Sequence, residues 1–346
     1  MPPWHLGRTG AAPPSAGVRI LIIRLGAFGD IVHTLPLAGD LQAAGHQVSW
    51  LCEDRWGCLL EASPAIDRIH RLPRRLLRSA PWAQRMAALL RLLREVRSSG
   101  YDAVIDAQGL AKSGVLAALA GGGRIITHAP PRARELSWLA ADAQVPAEAV
   151  HVIDQQRGLA RACGATPAGA WSFPLPPWQV ERAWAADRLR ELNMLRPWLL
   201  NVGAGWPTKV WPEERMVAFA RACAGRHPLL LLWGSPDERT VAERIAAASG
   251  APLAPPTTIP RLAGLLAHAA VLVSGDTGPL HLARAVGTPA VGLFGPVPRE
   301  RNGPQGPRWR NLQAPGAAWE RRDVSKVDMG AIAAETVLRE AETVAR

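Results

Sequence analysis

From residue 18 onward, short apolar runs alternate with longer amphipathic stretches. The runs "RILIIR" (19–24), "QVSWLCE" (47–53), "DRIHRLP" (67–73), "YDAVIDAQG" (101–109) and "RIITH" (124–128) predict β-strands. Helices are predicted between them, most clearly in "WAQRMAALLRLLREVRSSG" from Trp82, where Met86, Leu89, Leu90, Leu93 and Val96 recur at helical spacing. Residues 164–178, "GATPAGAWSFPLPPW", interrupt this alternation with glycine and four prolines, which block regular backbone hydrogen bonding. It then resumes with "RPWLLNVGAG" (196–205), "HPLLLLWGSP" (227–236), "AVLVSGD" (270–276) and "PAVGLFGPV" (289–297).

Strands alternating with helices predict a parallel sheet covered on both faces, and here the pattern occurs twice. The expected organisation is a disordered tail (1–17), a first Rossmann-like doubly wound α/β domain (18–170), a second (171–325), and a C-terminal helix (326–346) that crosses back onto the first domain. In such folds a ligand binds at the carboxyl ends of the strands, so the expected site is a cleft where loops of both domains meet.

Composition narrows the class. Cys52, Cys58, Cys163 and Cys223 form neither a CxxC pair nor a zinc spacing, and their scatter is no disulfide framework, which suits reduced packing residues in a cytoplasmic protein. The first 17 residues lack the apolar core of a signal peptide, and no apolar run approaches the ~18 residues of a membrane span. A soluble or at most membrane-associated protein is expected. The formal net charge is +11, carried almost wholly by arginine, with lysines only at 112, 209 and 326. Such a surplus suits an anionic partner (phosphate, nucleic acid or an acidic membrane face) or a plain solvated surface.

"RLGAFGD" (24–30) follows the first strand. Its glycines, Gly26 and Gly29, allow close approach of a ligand or another segment, and Asp30 reads either as a helix N-cap or as a catalytic carboxylate. The spacing is GxxG, not the GxGxxG of a dinucleotide turn, although Glu53 and Asp54 stand where an acid holds a ribose. "SGDTGPLHLARAVGTP" (274–289) is more specific: a strand ends at Asp276 and a helix begins, so Thr277, Gly278 and His281 form a candidate phosphate seat. "NVGAGWPTKVWPEE" places Lys209 beside a glycine-rich loop as a partner for phosphate charge, and "LLWGSPDER" leaves Glu238 at a helix start, to hold ribose hydroxyls or favour the dipole. In the first domain Gln108, Lys112, Arg74, Arg75 and Arg78, with Arg71, paint one side positive, to bind an anionic acceptor or as surface.

Taken in order and spacing, "RLGAFGDIVHTLP", "YDAVIDAQGLAKSG", "GAGWPTKVWPEE", "WGSPDE" and "SGDTGPLHLARAVGTPAVGLFGP" resemble glycosyltransferase family 9, the ADP-heptose:lipopolysaccharide heptosyltransferases, over roughly residues 18 to 340. "DAQGLAKSG" looks most like the heptosyltransferase I branch. The resemblance implies a GT-B fold and an inverting transfer of L-glycero-D-manno-heptose from ADP-heptose to Kdo2-lipid A, without cofactor, metal or nucleic acid, at the cytoplasmic face of the inner membrane. It implies Asp30 as general base, Lys209, Thr277 and Gly278 on the leaving diphosphate, Glu238 on the ribose, and Asp276 and His281 on the sugar-phosphate region. Gly26, Gly29, Arg74, Arg75, Arg78, Gln108 and Lys112 would meet the acceptor. Where some relatives carry hydroxyl residues, this chain has Gly26, Ala27, Ala204 and Gly205. A heptosyltransferase II- or III-like acceptor and a non-catalytic nucleotide-sugar-binding protein are the alternatives.

Overall fold

The computed structural model describes residues 17–167, 169–317 and 327–346. The predicted tail up to residue 16, and Lys326, lie outside these residues. The chain divides into two compact units between Pro177 and Trp178.

The first unit is a sheet of β1 (Arg19–Ile23), β2 (Gln47–Glu53), β3 (Arg68–Leu72), β4 (Ala103–Asp106), β5 (Arg124–His128) and β6 (Ala143–Val145). All neighbours are parallel, in the order β3-β2-β1-β4-β5-β6. Chain direction on the sheet therefore reverses between β1 and β4, the switch point where an open parallel sheet leaves a crevice. Helices cover both faces, so β1 reads as unbroken aliphatic: Ile20, Leu21, Ile22 and Ile23 are fully buried.

The second unit holds β7 (Trp198–Asn201), β8 (Leu229–Leu232), β9 (Val271–Gly275), β10 (Ala290–Phe294) and β11 (Trp309–Gln313), all parallel in the order β11-β10-β9-β7-β8. Its switch point lies between β7 and β9.

Three expectations change. The unit boundary falls at the end of the proline-rich stretch, not at 170/171, because that stretch is tied to the first unit. Trp171 Nε1 donates to Asp154 at 2.7 Å, the Ser63 hydroxyl donates to the Pro174 carbonyl, and Pro174 lies beside Gly39. The C-terminal helix Ala334–Ala345 buries Val337, Ala341 and Val344 in the second unit's core and packs on the helix Glu213–Cys223, so its apolar face is spent there rather than on the first domain. In the helix Trp82–Ser98 the buried positions are Leu92 and Val96, with Leu89 and Leu93 partly buried, whereas Leu90 points outward.

Close packing fixes several glycines. Gly264, in the helix Ile259–His268, lies against the helix Gln179–Glu191, and a Cβ there would come within 2.4 Å of the Glu181 carbonyl oxygen. Gly158, at the end of the helix Val152–Gly158, has open space at the same position. Gly264→Ala is expected to destabilise the protein by about 1–3 kcal/mol through backbone displacement. Gly158→Ala should be neutral or stabilising by up to about 1 kcal/mol through helix propensity. Urea unfolding of the two variants checks the pair, and equal stabilities would contradict the packing.

Candidate active site in two halves

At the first switch point the chain leaves β1 through Arg24, Leu25, Gly26 and Ala27 and enters the helix Phe28–Ala43. Asp30 lies in that helix's first turn. It does not cap the helix as the sequence reading allowed; instead its carboxylate accepts the N–H of Ala27, the N-cap residue, at 3.2 Å. Arg24, buried at the strand end, donates from Nη2 to Asp30 Oδ2 at 2.6 Å and from Nη1 to the Ala107 carbonyl at 2.8 Å. The Asp30 side chain keeps 43% of its surface exposed while Arg24 keeps 6%, so the cation is fixed and the carboxylate is reachable. The surrounding protein would push the Asp30 carboxyl up, but the Arg24 charge, the Ala27 amide and the Arg132 charge outweigh it and hold the carboxyl below its ordinary value.

The β4 side braces this loop. Asp106 accepts the amides of Gln108 and Gly109 at 3.0 Å and the Ser113 hydroxyl at 3.1 Å, and Gln108 Oε1 accepts the Leu25 N–H at 2.8 Å. Gln108, read as an acceptor contact, thus ties the β4 loop to the β1 loop through its carbonyl end. Gly26 is required by a close approach, since a Cβ would lie 2.6 Å from Trp56 Nε1. Trp56 stacks on Phe28 with Arg55 over its outer ring, walling this side of the loop. Gly29 follows in the first helical turn.

The remaining basic residues separate. Arg74 donates to the buried Glu53 carboxylate at 2.6 Å, which Arg55 also reaches at 3.0 Å. Glu53, the acid a dinucleotide site would need for ribose, is thereby committed to two arginines. Arg75, Arg78 and Lys112 are exposed on the helices Arg74–Ser79 and Ala111–Leu119.

At the second switch point Asp276 immediately follows β9 and is 4% exposed. Lys209 Nζ donates to its Oδ2 at 2.6 Å and to its carbonyl at 3.1 Å, His281 Nε2 lies 3.2 Å from Oδ1, and Asn302 Nδ2 stands 3.4–3.5 Å from both oxygens. Burial works against this charge, yet the His281 hydrogen bond and the Lys209 charge win, so the carboxyl is held well below the carboxylate range. Lys209 rides on a short 3-10 turn, Pro207–Lys209, seated by missing side chains. A Cβ on Gly275 would meet the Lys209 carbonyl at 2.9 Å, and one on Gly295 the Thr208 carbonyl at 2.9 Å.

The phosphate seat expected at Thr277 and Gly278 is smaller than a full helical turn. Pro279 has no N–H, and the N–H groups of Leu280 and His281 donate to the Thr277 carbonyl at 3.1 and 3.3 Å, which leaves the Thr277 and Gly278 amides as donors for an anion. The Thr277 hydroxyl is held by Ser274 Oγ at 3.0 Å and by Asn201 Nδ2 at 3.3 Å, a bridge across the switch point from β9 to β7. Glu238 sits at the start of the helix Pro236–Ser249, accepts the Gly234 N–H at 2.7 Å, and lies so close to Gly203 that a Cβ there would be 1.9 Å from its Oε1. Among the described residues no three His, Cys, Asp or Glu side chains form a metal cluster.

Of the residues named from the sequence for the second unit, the structure brings Lys209 and His281 onto Asp276, next to Thr277 and Gly278, while Glu238 lies against Gly203 and Gly234; the sequence reading did not single out Arg24, Trp56, Arg132, Asn201 and Asn302. Arg24 had a signal, a lone charge closing an aliphatic strand; the others had none apart from position.

The chain is similar to known proteins. The family model for glycosyltransferase family 9 (heptosyltransferase) matches residues 89–329. Lipopolysaccharide heptosyltransferase 1 of Pseudomonas aeruginosa PAO1 is 32% identical over 288 residues, covering 81% of this chain and 79% of its own. The same-named protein of Escherichia coli K12 is 29% identical over 292 residues, covering 81% and 88%. Among solved structures, E. coli heptosyltransferase WaaC with ADP superposes with a TM-score of 0.77 at 26% identity, covering 94% of this chain and 99% of that one. A family 9 glycosyl transferase from Veillonella parvula, 18% identical, gives 0.83 over 97% and 99% and supports the fold, GT-B with two parallel sheets flanked by helices.

Two outcomes follow from the paired carboxylates. The folded pKa of Asp276 lies below its unfolded value of ~3.9, so the stability it contributes is complete above about pH 4 and is lost as pH falls below that. Asp276→Asn should cost about 3–5 kcal/mol at neutral pH by stranding Lys209, and should flatten the acid side of the stability profile. Arg24→Gln should move the Asp30 protonation midpoint, followed by carboxyl 13C NMR, to higher pH; an unmoved midpoint would contradict the assigned cause.

Proposed function

The chain belongs to glycosyltransferase family 9, and we propose that it transfers L-glycero-D-manno-heptose from ADP-heptose to a Kdo hydroxyl of Kdo2-lipid A with inversion. The observation that carries this reading is the pair of carboxylates at the two switch points, one reachable and one buried among cations, together with similarity to heptosyltransferase 1 proteins. The donor belongs to the second unit. Lys209 and the Thr277 and Gly278 amides meet the diphosphate, His281 and Asp276 flank the sugar-phosphate region, and Glu238 takes the ribose hydroxyls. The acceptor belongs to the first unit, at Gly26, Gly29, Gln108 and Lys112, with Arg75 and Arg78 toward its anionic groups and Arg74 beside them, held on Glu53.

In this scheme the acceptor oxygen attacks the anomeric carbon as the bond from that carbon to the β-phosphate oxygen breaks. The bonding electron pair leaves with ADP, and the hydroxyl proton passes to Asp30. Charge growing on the diphosphate is met by donors already oriented there, which lowers the barrier without reorganisation. The proton affinity of Asp30 is low while Arg24 and Arg132 face it, so its role is to accept a proton that becomes acidic late in bond formation. An acceptor of this kind places the enzyme at the cytoplasmic face of the inner membrane as a peripheral protein.

Purified protein with ADP-heptose and Kdo2-lipid A is expected to yield a singly heptosylated product by mass spectrometry. Asp30→Asn should lower kcat about 10²–10⁴-fold while leaving calorimetric ADP-heptose binding unchanged. Transfer to another core acceptor only would correct the substrate. Donor binding with no transfer to any acceptor would make the chain a nucleotide-sugar-binding protein.

A further inference from the structure

Large apolar side chains left in solvent are concentrated on one helical face of the first unit. Twelve such residues are exposed among the described residues, and six belong to this face: Trp82 (75% exposed) and Leu90 on the helix Trp82–Ser98, Val115 and Leu119 on Ala111–Leu119, and Leu136 and Leu139 (73% exposed) on the turn around Ser137–Ala140. These elements are neighbours. Leu92 and Val96 of the first helix share a core cluster with Leu116 and Ala117 of the second, and Arg97 Nε donates to the Leu119 carbonyl at 2.9 Å. The turn is packed on the second helix so closely that a Cβ on Gly114 would lie 3.0 Å from the Ser137 carbonyl.

The same face is strongly basic. Eight arginines and no acidic residue occur from Arg68 to Arg94, and Arg75, Arg78, Arg85, Arg91 and Arg94 are exposed among them. Arg71 and Arg74 are taken by Glu61 and Glu53, and the two acids at the border of this surface are engaged as well, Glu95 with His70 at 2.7 Å and Glu135 with the Ala111 N–H at 3.1 Å, so arginine remains in excess. The N-terminal half of the helix Trp82–Ser98 buries no residue, which a helix kept only for packing would not do.

We propose that this face docks on an anionic lipid bilayer, with Trp82, Leu90 and Leu139 entering the headgroup boundary and the arginines on its phosphates. A bilayer fits because it alone offers continuous negative charge above an apolar layer; aromatic and aliphatic side chains flanked by arginine are the chemistry of interfacial binding. No helix among the described residues is long and apolar enough to cross a membrane, so the contact is a surface one. The inference deepens the proposed function, resting on its lipid-borne acceptor, and assigns the docking to a surface outside the reacting groups.

The test is vesicle flotation of the full chain without donor or acceptor. Phosphatidylethanolamine–phosphatidylglycerol vesicles should carry the protein and phosphatidylcholine vesicles should not, with binding falling as ionic strength rises. The combined variant Trp82→Ser, Leu139→Ser, Arg91→Gln, Arg94→Gln should bind at least about tenfold more weakly. Val180→Ser with Leu195→Ser, exposed apolar positions of the second unit, should bind as wild type does. Equal binding to both vesicle types, or an unaffected combined variant, overturns the proposal. So does a variant that abolishes a dimer in sedimentation velocity without changing vesicle binding, which would give the face to a second copy. Heptosyl transfer is assayed separately on a deacylated, water-soluble acceptor, so loss of transfer with flotation intact would strike the function and leave the docking standing.

Discussion

A carboxylate at the carboxyl end of a buried parallel strand must either be neutralised or give up its charge, and this chain resolves that constraint in two ways. Asp276 has Lys209 and His281 against its oxygens, and their attraction exceeds the penalty of burial. Asp106 is as deeply placed but has only amides and a hydroxyl as direct partners, and burial wins, so its carboxyl is pushed up. Neutral donors satisfy lone pairs; they do not replace the lost hydration of a full charge. Much of the loop architecture around both switch points follows from this difference.

The cations have to be brought in, and glycine is how the backbone admits them. Lys209 reaches Asp276 because Gly275 and Gly295 leave room for the turn that carries it. Glu238 lies over Gly203 for the same reason, its carboxylate occupying the space a side chain would fill. In the first unit the order is reversed: the cation, Arg24, directly follows the strand and the carboxylate lies in the next helix, so Arg24 is buried and Asp30 is the member that a bound molecule can reach.

Most strands were legible because a strand buried on both faces must be almost wholly apolar, and β2 and β5 have the bounds the pattern predicts. The two unpredicted strands lie at sheet edges. β6 is the three residues Ala143–Val145 and β11 is Trp309–Gln313, partly exposed along its length, so neither carries the apolar run that betrays a central strand. In the helix from Trp82, leucines at 89, 90, 92 and 93 satisfy more than one helical face, and only packing against β-strands decides that Leu92 goes in and Leu90 out. In the site, motifs located the groups that hold charge at strand ends, but not what they hold. The motif marked Lys209 as a candidate for phosphate, but its ion pair with Asp276 was not readable, because the two are 67 residues apart and their contact depends on sheet order.

Exposure separates the tasks of the two ionised carboxylates. With 2% of its side chain exposed, Asp276 accepts no proton from an incoming hydroxyl without first releasing Lys209 and His281, so it acts as fixed charge that positions them. Asp30 has 43% exposed and one fixed arginine behind it. Arg24 lowers its basicity but also keeps it ionised and held in one direction at neutral pH, and in the proposed transfer geometry and charge state would outweigh equilibrium basicity. A stronger base at this position would require loss of the Arg24 pairing, and with it a 2.6 Å contact that fixes the direction of the carboxylate.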